Sequence, residues 1–146
     1  MRILLALLVA VSVLGLMGPT RQTNQGYTGF IAGGTRIVTT AGATHSPTGI
    51  DLYGTWHIYT NAGVDVTLPT AVAGMNACFY DADGGAVVIL DAAAGDEIIL
   101  DGAGVAVADA IDSAGDVGDF VCLMTPDGTN WYTTVHEGTW VDGGAD

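Results

Sequence analysis

Sixteen carboxylates, three arginines and no lysine define the chemistry this chain has to offer. Ten of the acids fall between Asp81 and Asp119. Paired carboxylates can hydrolyse a glycosidic bond, but only within a cleft that holds the sugar between them. A glycine-rich chain of 146 residues has little wall from which to build one, so these acids are expected at solvated strand ends and turns. Asp81 and Asp83 in the run DADG have a second use. Their oxygens suit Ca²⁺, which accepts carboxylates and carbonyls in flexible geometry, although the spacing is not that of an EF-hand loop. The expectation is no cofactor, with Asp81 and Asp83 as the candidates for calcium. His45, His57 and His136 are too scattered to read as a ligand set, and His57 and His136 are expected at the surface or at a strand edge. Ser113 stands in DSAG without the nucleophile-elbow pattern, and Ser46 stands in HSP. No catalytic residue is expected, and the chain reads as a non-enzyme.

Cys78 and Cys122 are the only cysteines. In an exported protein such a pair can form a disulfide. Each lies in an apolar run, however, and buried free cysteine packs as a small hydrophobe, which is the favoured reading. The absence of CxxC or a close Cys/His cluster argues against zinc. Tyr53, Trp56, Tyr59, Trp131, Tyr132 and Trp140 offer aromatic faces for a sugar platform. Core packing is the expected role of Trp56 and Trp131. Trp140 lies in a polar tail and is the expected interface residue.

These side chains need elements to position them, and the elements read as strands. Residues 120–124 are a continuous apolar run, the signature of a strand covered on both faces. Pro126, Asp127 and Gly128 are turn chemistry, and residues 130–136 are β-branched and aromatic, so residues 118–136 predict a closing hairpin. Residues 54–69 predict a second hairpin. There Trp56 and Ile58 alternate with Thr55, His57 and Tyr59, turn residues Asn61, Ala62 and Gly63 follow, and Val64, Val66 and Leu68 alternate with Asp65 and Thr67. Residues 35–40, 75–81, 86–90, 97–100, 105–107 and 110–111 are further strand candidates, with an edge strand at 138–141. About ten short strands with frequent glycine turns predict an all-β domain, a jelly-roll-like β-sandwich over residues 35–141. Trp56, Val66, Phe120 and Trp131 are its expected core. Residues 142–146 read as an acidic tail and 19–34 as a linker.

Residues 1–18 differ in kind. Arg2 precedes fifteen residues without a charge. As a helix this run spans about 22 Å at ~1.5 Å per residue, short of a bilayer core of about 30 Å. Its length suits the apolar region of an export signal. It is apolar on every side, so if retained it must be buried. Three fates stay open: removal on export, insertion in a membrane, or burial among neighbouring subunits. In the last case Leu7, Val11 and Leu14 are the interface candidates.

Charge narrows the partners. All sixteen acids lie beyond Arg36, so residues 37–146 carry −16. Nucleic acid needs cations set against phosphate and is excluded as a partner. An anionic membrane surface should repel this body as well, leaving any membrane contact to the N-terminal segment.

The runs VDVTLPTAVAGM (64–75), FYD (79–81), VVILDAAAGD (87–96), LDG (100–102) and DGTNWY (127–132) stand in an order that resembles a small β-module of tailed-phage tail-fibre and virion-appendage proteins. The resemblance covers residues 35–135 and implies a spacer, an assembly unit or a receptor-facing tip, with no catalytic residues to carry over. The hydrophobic leader departs from that pattern and points equally to an exported surface or filament subunit. The expected function is therefore structural: a self-assembling, homo-oligomeric module of a virion appendage or extracellular filament. The alternative is a module that binds a surface glycan or host receptor.

Overall fold

The computed structural model describes residues 28–30 and 35–144. The expected leader helix, with Leu7, Val11 and Leu14, lies outside the described residues.

The described chain forms thirteen strands and one 3-10 turn. The strands are β1 (Thr28–Phe30), β2 (Arg36–Thr40), β3 (Thr44–His45), β4 (Tyr53–Tyr59), β5 (Val64–Thr67), β6 (Asn76–Asp81) and β7 (Val88–Asp91). They continue as β8 (Glu97–Leu100), β9 (Ala103–Gly104), β10 (Ala110–Ser113), β11 (Phe120–Met124), β12 (Asn130–Glu137) and β13 (Trp140–Gly144). They make two sheets, one of eight strands in the order β1-β2-β4-β6-β11-β12-β8-β9 and one of five in the order β13-β10-β7-β5-β3.

From β2 to β7 the chain alternates between the sheets. Strands β2, β4 and β6 are parallel neighbours in the larger sheet. Strands β3, β5 and β7 are parallel neighbours in the smaller one. Parallel strands cannot be joined by a tight turn and need a crossover. Here each crossover is itself a strand of the other sheet. This solenoid-like winding departs from the antiparallel connectivity of a jelly roll. It also corrects the hairpin expected over 54–69. Gly63, at φ +75°, turns the chain from β4 into β5 in the opposite sheet, a conformation glycine adopts without steric cost. The amides of Val64 and Asp65 then donate to Val87 and Ala43 rather than to β4. An alternating pattern looks the same whether the two strands pair edge to edge or face one another across a core.

The second half is mostly antiparallel, except that β12 pairs with β8 in parallel, Trp131 lying opposite Ile98. Strand β11 pairs with β6 on one side and β12 on the other, which is the hairpin the turn chemistry at 126–128 predicts. Asp127 Oδ1 accepts from the amides of Thr129 and Asn130 at 2.9 and 3.1 Å, and Oδ2 accepts from the Tyr132 hydroxyl at 2.7 Å. Those bonds, led by the one from Thr129, hold the Asp127 carboxyl down at about 2. Residues 105–107 are not a strand; Val105 is buried beside β9 while Val107 is exposed. Strand β13 runs on through Gly144, so residues 142–144 are paired with β10 rather than a loose tail.

One buried cluster joins the sheets. Val64, Val66, Leu90 and Ile111 of the five-stranded sheet share it with Tyr59, Phe79, Val121, Leu123 and Trp131 of the eight-stranded sheet. Val66 and Trp131 are fully buried. Trp140, expected at an interface, is a core residue at 7 % exposure. Its indole N–H donates to the carbonyls of Phe120 and Glu137 at 3.1 and 3.3 Å, so β13 is fastened inward by its aromatic residue.

Candidate functional site

The eight-stranded sheet has an outer face of unusual composition. In β4, Thr55, His57 and Tyr59 point into the core, while Trp56 and Ile58 are half-buried on the outside. The register carries this face across four more strands. Ile37 lies opposite Trp56, Trp56 opposite Cys78, Cys78 opposite Cys122 and Cys122 opposite Val135. One step along, Ile58 lies opposite Tyr80 and Tyr80 opposite Phe120. The rings of Trp56 and Phe120 lie 5.6 Å apart. Ile37, Trp56, Ile58 and Tyr80 line a shallow, open depression of about 220 Å³ whose lining is almost wholly apolar. Val135 is 52 % exposed at its far side. Trp56 and Phe120 were expected in the core; both are instead half-buried residues of this outer face. Alternation alone does not say which of two faces turns inward, and here the more polar set does.

Cys78 and Cys122 are joined as a disulfide, with Cα atoms 4.0 Å apart. This corrects the reading of two free, buried thiols. The residues are 44 apart in sequence, and only the antiparallel β6–β11 register sets them opposite one another. The bridge cross-links the middle of the outer face.

Beneath that face lies a buried polar cluster. His57, expected at the surface, is fully buried because β4 sits between β2 and β6 in the sheet interior. Its ring stacks on Phe79 at 5.1 Å, and its Nε2–H donates to the Asp51 carbonyl at 2.8 Å. In the neutral ring Nδ1 is then the bare nitrogen, and it has no hydrogen-bond partner. Burial lowers the pKa to about 4, because a charged ring would be stranded there. His45 on β3 reaches across the core, its Nδ1 3.0 Å from the Tyr59 hydroxyl, and burial lowers its pKa as well. Burial raises the Tyr59 pKa well above the usual phenol value. Arg36 at the start of β2 pairs with Asp51 in the 3-10 turn that supplies this carbonyl. The cluster ties the two sheets together; a stacked, enclosed imidazole offers no approach to a substrate.

The remaining acids and hydroxyls hold turns and strand ends. Asp81 is 2 % exposed, and its Oδ1 accepts from the amides of Asp83 and Gly84 at 3.0 and 2.9 Å, whereas Asp83 itself is exposed. Asp81 Oδ2 is buried with no hydrogen-bond partner. Among the described residues no group of three or more His, Cys, Asp or Glu side chains is placed to hold a metal ion. Ser113 Oγ accepts from the amides of Val88 and Gly115, binding β10 to β7. His136 on β12 is half-buried and faces Asp101, with Nε2 3.1 Å from Oδ1.

Sequence patterning places Trp56 of β4 and Phe120 of β11 in the core and so misses the outer face. The signal that would have found it is the charge-free row at Ile37, Trp56, Cys78, Cys122 and Val135, visible only once the strands are in register. Comparison with protein-family models, with curated proteins and with solved structures finds no significant match to this chain.

Proposed function

We propose that the chain is a structural, non-enzymatic module of a virion appendage or extracellular filament, a β-sandwich behind a hydrophobic N-terminal helix that assembles through the outer face of its eight-stranded sheet. One observation carries the reading. On a body with −16 over residues 37–146, the Ile37–Trp56–Ile58–Tyr80 surface is uncharged and apolar as far as Phe120 and Val135, with the exposed Glu137, opposite Phe120, at its β12 edge. A contiguous apolar patch rimmed by polar residues is the usual mark of an interaction surface. Like-charged copies approach one another with least repulsion where neither carries charge. The Cys78–Cys122 disulfide supports an oxidising location, outside the cell or on a virion. The tail-fibre-like order of motifs agrees with it.

The test is the association state of residues 19–146, whose core cluster lies wholly between Leu52 and Trp140. The expected result is concentration-dependent self-association in sedimentation experiments, weakened at least tenfold by Ile58→Thr. A strictly monomeric protein overturns the reading.

The aromatic rings of Trp56, Tyr80 and Phe120 favour one second reading, a glycan or receptor platform, since rings on an open face can stack on a sugar. A monomer that binds glycans, with binding lost in Trp56→Ala, would establish it.

A further inference from the structure

We infer that the turn at Asp101 and Gly102 is a site of spontaneous covalent modification, where the aspartate closes on the next amide to a cyclic imide and reopens as isoaspartate. The inference is independent of the assembly reading. The chain has four Asp-Gly pairs, beginning at Asp83, Asp101, Asp127 and Asp142. Glycine in second place leaves the amide nitrogen unhindered by a Cβ, so sequence alone suits all four to the reaction. The structure separates them.

Three are restrained. The Gly84 amide already donates to Asp81 Oδ1 at 2.9 Å, and a nitrogen held in that bond is not free to attack the Asp83 carboxyl. Asp127 accepts from Thr129, Asn130 and Tyr132, and those bonds hold its carboxyl in the charged form, the poorer electrophile. Asp142 Oδ1 accepts from the Gly144 amide at 3.0 Å, and Gly143 lies inside β13, where a Cβ would overlap the Asp112 carboxyl. Asp101 differs. Its side chain is 69 % exposed, and its carboxyl meets one side chain from another strand, His136, with Nε2 at 3.1 Å. Among the described residues no group accepts from the Gly102 amide. Asp101 and Gly102 stand at φ +52° and +83°, the two positive-φ positions of a type I′ hairpin that joins β8 to β9. Strand β9 has two residues, both exposed, at the edge of the sheet. So short an edge opens locally at small cost, which lets the Gly102 nitrogen swing against the Asp101 carboxyl carbon.

The nitrogen bonds to Cγ and gives up its proton, and one carboxyl oxygen leaves as water with that proton and a second from solvent. Water then returns to the imide. Opening at the main-chain carbonyl routes the backbone through Cβ and Cγ, one carbon longer, with no atom gained or lost overall. A two-residue turn cannot absorb that carbon and keep Leu100 opposite Ala103. Strand β9 then detaches and bares the edge of β8, a hazard for pairing with other chains.

The experiment holds the full chain folded at physiological temperature for several weeks and digests it with pepsin. Aspartate and isoaspartate at the four pairs are counted by electron-transfer fragmentation, which separates the two linkages. Isoaspartate is expected to accumulate at Asp101 at least tenfold faster than at Asp83, Asp127 or Asp142. In concentrated urea the four rates should converge, because each aspartate is followed by glycine. Equal rates in the folded chain, a faster site elsewhere, or no isoaspartate at Asp101 overturns the inference. A tenfold preference that persists in urea also overturns it, since local sequence rather than the fold would then be the cause. In the aged protein the amides of residues 97–104 should exchange with deuterium faster than in fresh protein; unchanged exchange overturns the detachment of β9.

Discussion

His57 shows how much one inward side chain can impose. Above pH 6.5 the ring is neutral in both folded and unfolded chains and adds no pH dependence. Between pH 6.5 and about 4 the unfolded chain binds a proton that the folded chain refuses, so stability falls as the solution is acidified and levels off below that window. A depression of this size corresponds to a loss on the order of 3 kcal/mol. His45, also depressed by burial, acts in the same direction. His57→Phe should keep the stack on Phe79, lose the bond to the Asp51 carbonyl, and flatten the stability profile between pH 6.5 and 4 relative to the parent. Equal slopes from denaturant titrations would show that the ring is not buried in its neutral form. At Trp131, fully buried between the sheets, alanine should cost about 3–5 kcal/mol through lost burial and the cavity left behind. A change below about 0.5 kcal/mol would place Trp131 at the surface, since substitutions there usually stay within that range.

Among the elements, the hairpin of β11 and β12 and the arch between β4 and β5 make an instructive pair. Both have a turn with glycine at positive φ between two β-rich runs. In the first, Asp127 fixes the turn by accepting from Thr129 and Asn130, and Gly128 is packed so closely that a Cβ there would meet the Ala73 amide nitrogen at 2.9 Å. In the second, the amides beyond the turn find partners in other strands, and the chain changes sheet. The disulfide belongs to this scale because it locks the β6–β11 register. Closing 44 residues of chain restricts the unfolded state, and loop-closure entropy sets an upper value of about 4 kcal/mol. Paired Cys78→Ala and Cys122→Ala substitutions, or reduction, should lower stability by about 2–4 kcal/mol in denaturant titrations. Native protein should also show no free thiol; two titratable thiols without reductant would exclude the bridge.

At the scale of the whole molecule, charge and the apolar face act together. With −16 on residues 37–146, self-repulsion should ease as added salt shortens screening to ~8 Å near physiological ionic strength. The melting temperature should rise with NaCl. Calcium at matched ionic strength should add nothing further, because Asp81 Oδ1 already accepts from the amides of Asp83 and Gly84 and the Asp83 side chain is exposed to water. A rise well beyond that in NaCl would reveal a specific calcium site. The same screening should strengthen association of residues 19–146, since contact through the outer face brings two acidic bodies together.

The sequence by itself determined the class, most strand positions, the closing hairpin with its Asp127 turn, the inward roles of Val66 and Trp131, and the acidic character of the body. Each is legible because it depends on neighbours in the chain: turn residues, apolar runs and sums of charge. Tertiary structure alone decided which alternating face turns inward, that β4 and β5 face each other from different sheets, that Cys78 meets Cys122, and that Trp140 is buried. Those outcomes depend on which distant strand lies alongside, and a period of two residues serves either face equally well. Trp56 and His57 show the consequence most directly. They are adjacent in the chain and opposite in fate: the indole outside and the imidazole inside, set by the pairing of β4 with β2 and β6.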